Sequence, residues 1–548
     1  MRRFVLFFGI ISLFILFLSS CVKDNFDFDK WNKEINYNGK FAIPLFWGDV
    51  SFAEMLNMTN DLGYIEEDEN GFLSLVYKSN ITSGNVYDIL SIEPIIYNQS
   101  ISNLNFQGIQ GPEKSGESVY AEKMYYVTVN TNKQDTEIDS LSFSKGKLNL
   151  KVTSQFLRPV KVIVSFPTLL KSNMAVKYDF DLNPGDYTPN VGLNLTGYKL
   201  DLTKTPLSFN EIPIKIEVIS YGSDIPTGGS IDLELNTTDV EYSWIRGYFG
   251  QNILLYENDN IDISIFNSDY VSIEEYMFKN SSLNIFYENS FGIPSHFYFE
   301  ELIANYSSDN SDHNILGISD VPQENSPYSI IYPKVFNETA KDSFKISDDG
   351  IQEVVNNQPR SVKFKALAKT NPNQKSHNNF ITKDSKIGAD IVVNFPFWGY
   401  MYKLYATDTI KIDLSDLFND KNTLKRVALK TNMRNGFPME IYGQVYFVNE
   451  NYEMLDSLFY SPEERLMTAA IVDNNGYVTS FSKKTTTIEC DKEMLDNMKN
   501  ATHVIYKAYA NTTNADKEEV IRVYKDYKLN FNIGVEAEFH ISESIDSL

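Results

Sequence analysis

The chain of 548 residues carries 73 acidic and 49 basic residues, which gives a formal charge of −24 at pH 7. At about 100–200 residues per domain, this length predicts roughly three domains, and 42% hydrophobic residues suffice for sizeable cores. The acidic balance argues against nucleic acid as a partner, and two Cys exclude a disulfide scaffold and a thiolate zinc cluster.

Residues 1–20 have the composition of a sorting signal. Arg2 and Arg3 precede an apolar run from Phe4 to Leu18 that is interrupted by only one Gly and one Ser. The run is shorter than the roughly 20 residues that span a bilayer, and it fits the apolar region of a signal peptide. It ends in Leu18-Ser19-Ser20-Cys21, small residues directly before a Cys.

This ending resembles the lipobox of bacterial lipoproteins. The resemblance implies cleavage before Cys21 and a diacylglycerol on its thiol, followed by acylation of the new amine. Several acyl chains anchor a protein stably where one chain is marginal. The alternatives are an uncleaved membrane helix and an ordinary secretory signal with an incidental Cys.

The residues after Cys21 form a short acidic tract that includes Lys23, Asp24 and Asp27. The tract resembles the export signal of surface lipoproteins in Bacteroidota-type bacteria. It implies an outer-membrane protein that faces the cell exterior, with retention on the periplasmic side as the alternative. We predict a signal peptide over residues 1–20 and a tether over 21–40.

Beyond residue 40 the pattern is typical of an all-β protein, because apolar and polar residues alternate in short runs between turn residues. Every odd position from Tyr527 to Ile541 is apolar or aromatic, whereas the even positions between them are polar or Gly, which predicts one strand with one buried face. Gly534 interrupts the even positions and predicts a bend or bulge.

Three short segments predict helix starts. Ser51-Phe52-Ala53-Glu54 and Ser272-Ile273-Glu274-Glu275 have the spacing of capping boxes. Asp491 precedes a third segment, which we expect to be a helix that carries Met494, Leu495, Met498 and Thr502.

A recurring pattern ends strands with a turn set by Asn and Pro around a Phe. Two clear copies are Asn289-Ser290-Phe291-Gly292-Ile293-Pro294 and Asn435-Gly436-Phe437-Pro438, and they follow Gly247-Tyr248 and Gly399-Tyr400. A fainter copy is Gln155-Phe156-Leu157-Arg158-Pro159. We expect each Phe to close the end of a core, although generic hairpin composition can mimic such a repeat.

The repeat predicts tandem β-sandwich domains with a few short helices: residues 41–245, 246–390 and 391–548. The Pro-Phe-Trp-Gly segment that ends at Gly399 echoes the segment around Trp47. We therefore predict Trp47 and Trp398 as core residues, and Trp244 also. Aromatic platforms for sugars are the alternative, because flat rings stack on the apolar faces of sugars.

No linear motif for catalysis is present: no zinc helix, no nucleophile elbow and no phosphate-binding Gly loop. We predict no catalytic residues, no metal site and no cofactor. Calcium at residues 309–312, or at Glu257, Asp259 and Asp262, is an alternative to plain turn chemistry. Cys490 is expected to be a small buried residue.

These features predict a lipid-anchored, non-enzymatic binding or structural lipoprotein whose ligand the sequence does not identify. Its expected partners are the membrane, through the anchor, and a glycan or a cell-surface protein. One alternative is a fimbrial or adhesive subunit whose C-terminal strand complements a neighbour. Another is a glycan-binding or carbohydrate-active protein of a polysaccharide-uptake system.

Overall fold

The computed structural model describes residues 37–51, 64–83, 86–109, 118–188, 191–221, 225–226, 228–266, 271–372, 375–412 and 423–541. Cys21, the signal peptide and the first capping box beyond Ser51 lie outside the described residues. Of the residues that the structure describes, 62% lie in strands and 5% in helices, which confirms the predicted mainly-β class with few helices.

Strands are numbered in chain order. The first are β1 (Tyr37–Ser51), β2 (Tyr64–Glu67), β3 (Leu73–Thr82), β4 (Ile96–Ile101), β5 (Gln107–Ile109), β6 (Ser118–Thr128), β7 (Glu137–Ser154), β8 (Val160–Lys171), β9 (Met174–Leu182), β10 (Val191–Asn194), β11 (Lys199–Asp201), β12 (Glu211–Tyr221) and β13 (Ile231–Tyr248). Next come β14 (Ile253–Asp262), β15 (Val271–Phe278), β16 (Ser282–Asn289), β17 (Ser295–Tyr306), β18 (Asp312–Asn314), β19 (Tyr328–Ile330), β20 (Ala340–Ile346), β21 (Pro359–Thr370), β22 (Asn379–Thr382) and β23 (Ile387–Pro396). The last are β24 (Trp398–Lys411), β25 (Thr423–Asn435), β26 (Met439–Val448), β27 (Met454–Ser457), β28 (Glu464–Met467), β29 (Ile471–Val472), β30 (Val478–Ser480), β31 (Ser482–Cys490), β32 (His503–Thr512), β33 (Ile521–Arg522) and β34 (Lys528–Ile541). The helices are α1 (Val86–Ile89), α2 (Asp349–Asn356) and α3 (Lys492–Met498), with 3₁₀ turns at Ser264–Phe266 and Ala515–Lys517.

The strands form antiparallel sheets. The largest follows the path β22-β13-β7-β11-β8-β12-β6-β5. Two five-stranded sheets are β14-β21-β17-β18 with β19, and β2-β3-β23-β16-β20. Two further sheets are β1-β34-β25-β31 and β15-β24-β32-β26-β27 with β28 and β33.

Several sheets join strands that are distant in the sequence. The first strand, β1, pairs with the last, β34, and β3 pairs with β23. In the same way, β15 pairs with β24 and β22 with β13. Strands from different predicted segments thus share sheets, and the divisions near residues 245 and 390 stay predictions.

The C-terminal strand alternates as predicted. In β34 the side chains of Leu529, Phe531, Val535 and Ala537 are buried, and the described side chains between them are more exposed. Gly534 pairs with Pro44, and the register shifts between Pro44 and Phe46, so the extra residue of this bulge lies in β1 and not at Gly534 in β34. The strand β34 stays within one sheet.

The predicted turn of the repeat is also present. The Phe437 N–H donates to Asn435 Oδ1 at 2.8 Å, and the Phe291 N–H donates to Asn289 Oδ1 at 3.0 Å. Both Phe side chains are fully buried. Each turn joins two sheets, because β25 and β26, like β16 and β17, belong to different sheets. The Phe therefore closes a core at the point where the chain crosses between layers.

The helix predictions have mixed outcomes. Asp491 caps α3 as expected, since its carboxylate accepts from the Met494 N–H at 3.0 Å. The helix ends at Met498, before Thr502. The helix predicted at Ser272 is wrong: this segment is strand β15, which pairs with β24 and buries Tyr276 and Phe278. Sheet pairing there outweighs a local capping signal.

An ion-pair cluster joins β1 to the C-terminal sheet. Glu536 on β34 lies 2.6 Å from Lys40 Nζ, 2.8 Å from Lys430 Nζ and 3.0 Å from an Arg426 nitrogen. Hydrogen bonds from these cations, Lys40 foremost, lower the pKa of Glu536 to about 2. The strand β1 begins within the last residues of the predicted tether, and it is thus held to the folded body by charge as well as by its backbone.

Candidate binding site: an aromatic cavity

An open cavity of about 660 Å³ lies where five separate parts of the chain meet. Its walls combine aromatic rings with carboxylate, amide and guanidinium groups. The lining residues are Asp68, Asn70, Phe72, Asn280, Trp398, Tyr477, Val478, Arg522, Tyr524, Asp526 and Tyr527. A cavity of this size, with aromatic walls and a few polar groups, is typical of a small-molecule binding site.

Two turns of similar sequence present an aromatic ring to the cavity. They are Asp68-Glu69-Asn70-Gly71-Phe72 and Asp473-Asn474-Asn475-Gly476-Tyr477. In each, the Asp Oδ1 accepts from the backbone N–H groups two and four residues later, at 2.8 and 2.9 Å in the first and 2.9 and 3.0 Å in the second. The Gly of each turn has a positive φ, 77° and 82°, which glycine adopts without strain. The same local chemistry thus places Phe72 and Tyr477.

The rings at the ends of these turns pack on Tyr524. Its ring centroid lies 5.4 Å from that of Phe72 and 5.6 Å from that of Tyr477, whose plane is nearly parallel. Tyr527 lies 5.7 Å away on another side, and its hydroxyl accepts from the Val478 N–H at 3.1 Å. Burial, with a smaller effect of Tyr477, raises the pKa of Tyr524 to about 12, so the phenol stays protonated.

Trp398 and Arg522 form the other wall. They are paired residues of β24 and β33, and the guanidinium carbon lies 4.1 Å from the Trp398 ring centroid. The guanidinium also lies 4.9 Å from the Tyr477 ring centroid and donates through Nη1 to the Tyr477 hydroxyl. The nitrogens Arg522 Nε and Trp398 Nε1 are buried, and within the described residues neither has a hydrogen-bond partner. Both N–H groups therefore lack the acceptor that a buried donor requires.

Backbone hydrogen bonds join three of these segments in a ring. The Leu73 N–H donates to Val523 O at 3.1 Å, the Val523 N–H to Phe397 O at 3.1 Å, and the Phe397 N–H to Leu73 O at 2.9 Å. These residues are adjacent in sequence to Phe72, Trp398 and the pair Arg522 and Tyr524. The aromatic rings are thus fixed on a shared backbone frame, which reduces the entropy lost on binding.

The predicted Trp positions differ in outcome. Trp47 is 72% exposed on the edge strand β1, so its prediction as a core residue is wrong. Trp398 is only partly buried and lines the cavity. Trp244 is also partly buried, with its ring centroid 5.2 Å from that of Phe336. Cys490 is buried as expected, and burial raises its pKa to about 11.

The cavity itself was not anticipated from the sequence. The signal that points to it is the repeated Asp-x-Asn-Gly-aromatic turn, since both copies end at the cavity. This repeat is only five residues long, so it is a weaker signal in the sequence than a repeat as long as a strand.

Carboxylates in both acidic segments that could bind calcium have hydrogen-bond partners within the protein. Asp309 accepts from the Ser311 N–H at 3.0 Å and contacts His313 Nε2 at 2.8 Å. Asp259 accepts from the Ser79 hydroxyl at 2.5 Å. In the part of the chain that the structure describes, no group of three or more His, Cys, Asp and Glu is placed to hold a metal ion. No helix found there is both long and apolar enough to cross a bilayer.

No family model and no curated protein matches the chain. A Parabacteroides distasonis protein described as a candidate secreted protein aligns with 91% of this chain and 99% of its own, at 10% identity and a TM-score of 0.24. The tandem CBM22 modules of Xyn10C from Paenibacillus barcinonensis align with 54% of this chain and 93% of their own, at 8% identity and a TM-score of 0.13. A structure from Sulfolobus Turreted Icosahedral Virus aligns with 85% of this chain and 92% of its own, at 10% identity and a TM-score of 0.12. Likenesses this weak establish neither a family nor a function.

Proposed function

We propose that the chain is a lipid-anchored, non-enzymatic carbohydrate-binding protein of the bacterial outer membrane, facing the cell exterior. The observation that carries the proposal is the cavity with five aromatic rings and several polar side chains at one place. The anchor is Cys21, on the resemblance of Leu18-Ser19-Ser20-Cys21 to a lipobox.

A sugar matches the chemistry of this cavity better than a purely apolar ligand does. Sugar rings have apolar C–H faces that stack on aromatic rings, and hydroxyl edges that need hydrogen-bond partners. Trp398 and Tyr477 supply rings, whereas Asp526, Asn70 and Asn280 supply polar groups. The volume of about 660 Å³ has room for a short oligosaccharide.

The fimbrial alternative receives less support. In that hypothesis the C-terminal strand is given to a neighbouring molecule, which requires a free strand edge. In the structure β34 is hydrogen-bonded to β1 on one side and to β25 on the other. Donation of β34 would therefore first require the loss of both pairings.

Sugar binding is tested with the unlipidated protein, residues 22–548, on a glycan array followed by calorimetry. We expect Trp398→Ala and Tyr524→Ala each to weaken binding of the captured glycan about tenfold or more, because each removes one stacking surface. Trp47→Ala is the matched control, since this Trp is exposed and does not line the cavity, and its affinity should equal that of the wild type.

Two results would contradict the proposal. One is the absence of binding to every glycan, and the other is unchanged affinity after Trp398→Ala. Chromatography of the glycan after prolonged incubation addresses the non-enzymatic part, because shortened products would show that the cavity is catalytic.

Lipidation has its own test. We expect Cys21→Ser to move the protein from the membrane fraction to the soluble fraction, because the thiol that carries the diacylglycerol is gone. Fractionation and mass spectrometry of the mature N-terminus measure this. The matched control is Cys490→Ser, which leaves the anchor intact and should stay in the membrane. Membrane retention of the Cys21→Ser variant would refute lipidation at this residue.

A further inference from the structure

The guanidinium in the cavity differs from the other cations around it. Lys525, three residues after Arg522, forms an ion pair with Glu67 at 3.0 Å, and Arg426 forms one with Glu489. Arg522 forms no ion pair with any residue that the structure describes. In a chain of net charge −24, a cation that faces a cavity without an acidic partner is conspicuous.

The surroundings of Arg522 hold it in place without neutralising it. Its guanidinium lies between the rings of Trp398 and Tyr477, at 4.1 and 4.9 Å from their centroids. Stacking of this kind restrains an Arg side chain and leaves its charge intact. Lys279 Nζ lies 5.9 Å from the centroid of the same Trp398 ring, although Lys279 does not line the cavity.

The donors that remain on Arg522 are suited to an anion. Nη1 donates to the Tyr477 hydroxyl, whereas Nε is buried without a partner among the described residues. Nε and the second Nη form the side of the guanidinium that binds a carboxylate through two parallel hydrogen bonds. The Trp398 Nε1–H, also unpaired and buried, offers a further donor on the same wall.

We propose that the ligand is an acidic glycan, and that a uronic acid carboxylate binds Arg522 while a sugar ring stacks on the aromatic side chains. This inference rests on the proposed sugar binding and specifies its ligand. Asp68 also lines the cavity, and its Oδ1 accepts two backbone N–H groups of its own turn, which fixes the orientation of this carboxylate. Asp526 lines the cavity as well and is available to accept from sugar hydroxyls. Acidic groups farther than a Debye length of about 8 Å are largely screened at physiological salt.

The test compares matched glycans on the unlipidated protein by calorimetry. The probes are oligogalacturonate, oligoglucuronate and alginate fragments, each beside its carboxyl-reduced counterpart, which keeps the backbone and lacks the charge. We expect at least one acidic probe to bind about tenfold or more tightly than its reduced form, with an advantage that shrinks as salt rises. Chondroitin with and without sulfate separates a carboxylate from a sulfate as the recognised anion.

Variants assign the preference to Arg522. Arg522→Gln should abolish the preference for the acidic member of each pair, and Arg522→Lys should keep only part of it, because an ammonium lacks the two-donor edge. Lys525→Gln is the matched control and should keep the full preference, since its charge is already paired with Glu67. Thermal unfolding shows whether each variant is folded. Where a variant does not fold, the comparison of acidic and carboxyl-reduced glycans on the wild-type protein still tests the acidic ligand.

The outcomes separate the inference from the proposal beneath it. Equal affinity for acidic and reduced glycans would overturn the acidic ligand while sugar binding stands. Binding that requires sulfate would overturn the assignment to a uronic acid. An absence of binding to all of the probes and to the glycan array would overturn both.

Discussion

Asn435→Ala should lower the free energy of unfolding by about 3 kcal/mol, from the loss of several buried hydrogen bonds at about 1 kcal/mol each. The Asn435 side chain is 1% exposed, and its Nδ2 donates to the carbonyls of Phe437, Met439 and Thr468 at 3.2, 3.0 and 2.8 Å. Its Oδ1 accepts from the Phe437 N–H at 2.8 Å. Alanine would remove the Asn435 acceptor from the buried Phe437 N–H and one donor from each carbonyl, although the Phe437 carbonyl still accepts from the Ala470 N–H and the Thr468 carbonyl from the Ser482 hydroxyl.

The same residue of the other clear copy gives a graded comparison. Asn289 accepts from the Phe291 N–H at 3.0 Å, but among the described residues it donates to a single acceptor, the Ile331 carbonyl at 3.2 Å. Asn289→Ala should therefore destabilise the protein by less than Asn435→Ala does. Asn432→Ala on the same strand as Asn435 is the control, because this side chain is exposed, and we expect a change within about 0.5 kcal/mol.

Chemical denaturation with a tyrosine or tryptophan fluorescence signal measures these differences. If Asn435→Ala and Asn432→Ala unfold at the same denaturant concentration, the turn does not hold the sheets together as argued. Because the chain forms several sheets, the fluorescence signal must report the unfolding of the C-terminal sheets separately from that of the others.

What the sequence predicted well is local. Alternation over residues 527–541 and the Asn-x-Phe turns depend on residues close in the chain, and the structure confirms both. The cap at Asp491 belongs to the same class. In each case a few neighbouring residues determine the geometry, so their pattern can be recognised without knowing the fold.

What the sequence did not predict depends on contacts between distant segments. Trp47 and Trp398 share a local pattern, yet the first lies on an edge strand and the second in the cavity wall. The difference arises because β1 pairs with β34 alone among the described strands, whereas Trp398 of β24 pairs with Arg522 of β33. The Ser272 segment likewise became a strand through its pairing with β24. The local alternation of apolar and polar residues does not identify a partner strand that lies 100 or more residues away in the chain.

Gly399→Ala should have the second large effect, because it acts on both the fold and the cavity. Gly399 pairs with Phe278 of β15, and a Cβ on it would lie 1.8 Å from the Met277 carbonyl oxygen. No side chain fits at that distance, so β15 and β24 must separate, at a cost of about 3 kcal/mol or more.

The displacement of β24 would reach the cavity through Trp398, the residue before Gly399. Trp398 accepts from the Lys279 N–H at 2.7 Å through its carbonyl, and this bond lies beside the contact that alanine would break. A displaced Trp398 moves away from Arg522, so the folded fraction of Gly399→Ala should bind glycan more weakly than the wild type. Gly388→Ala is the matched control, since its Cβ would lie 3.4 Å from the Ile81 carbonyl, and we expect it to cost less than about 1 kcal/mol and to leave binding unchanged. Wild-type melting and affinity in Gly399→Ala would show that the close pairing of β15 with β24 does not position the cavity wall.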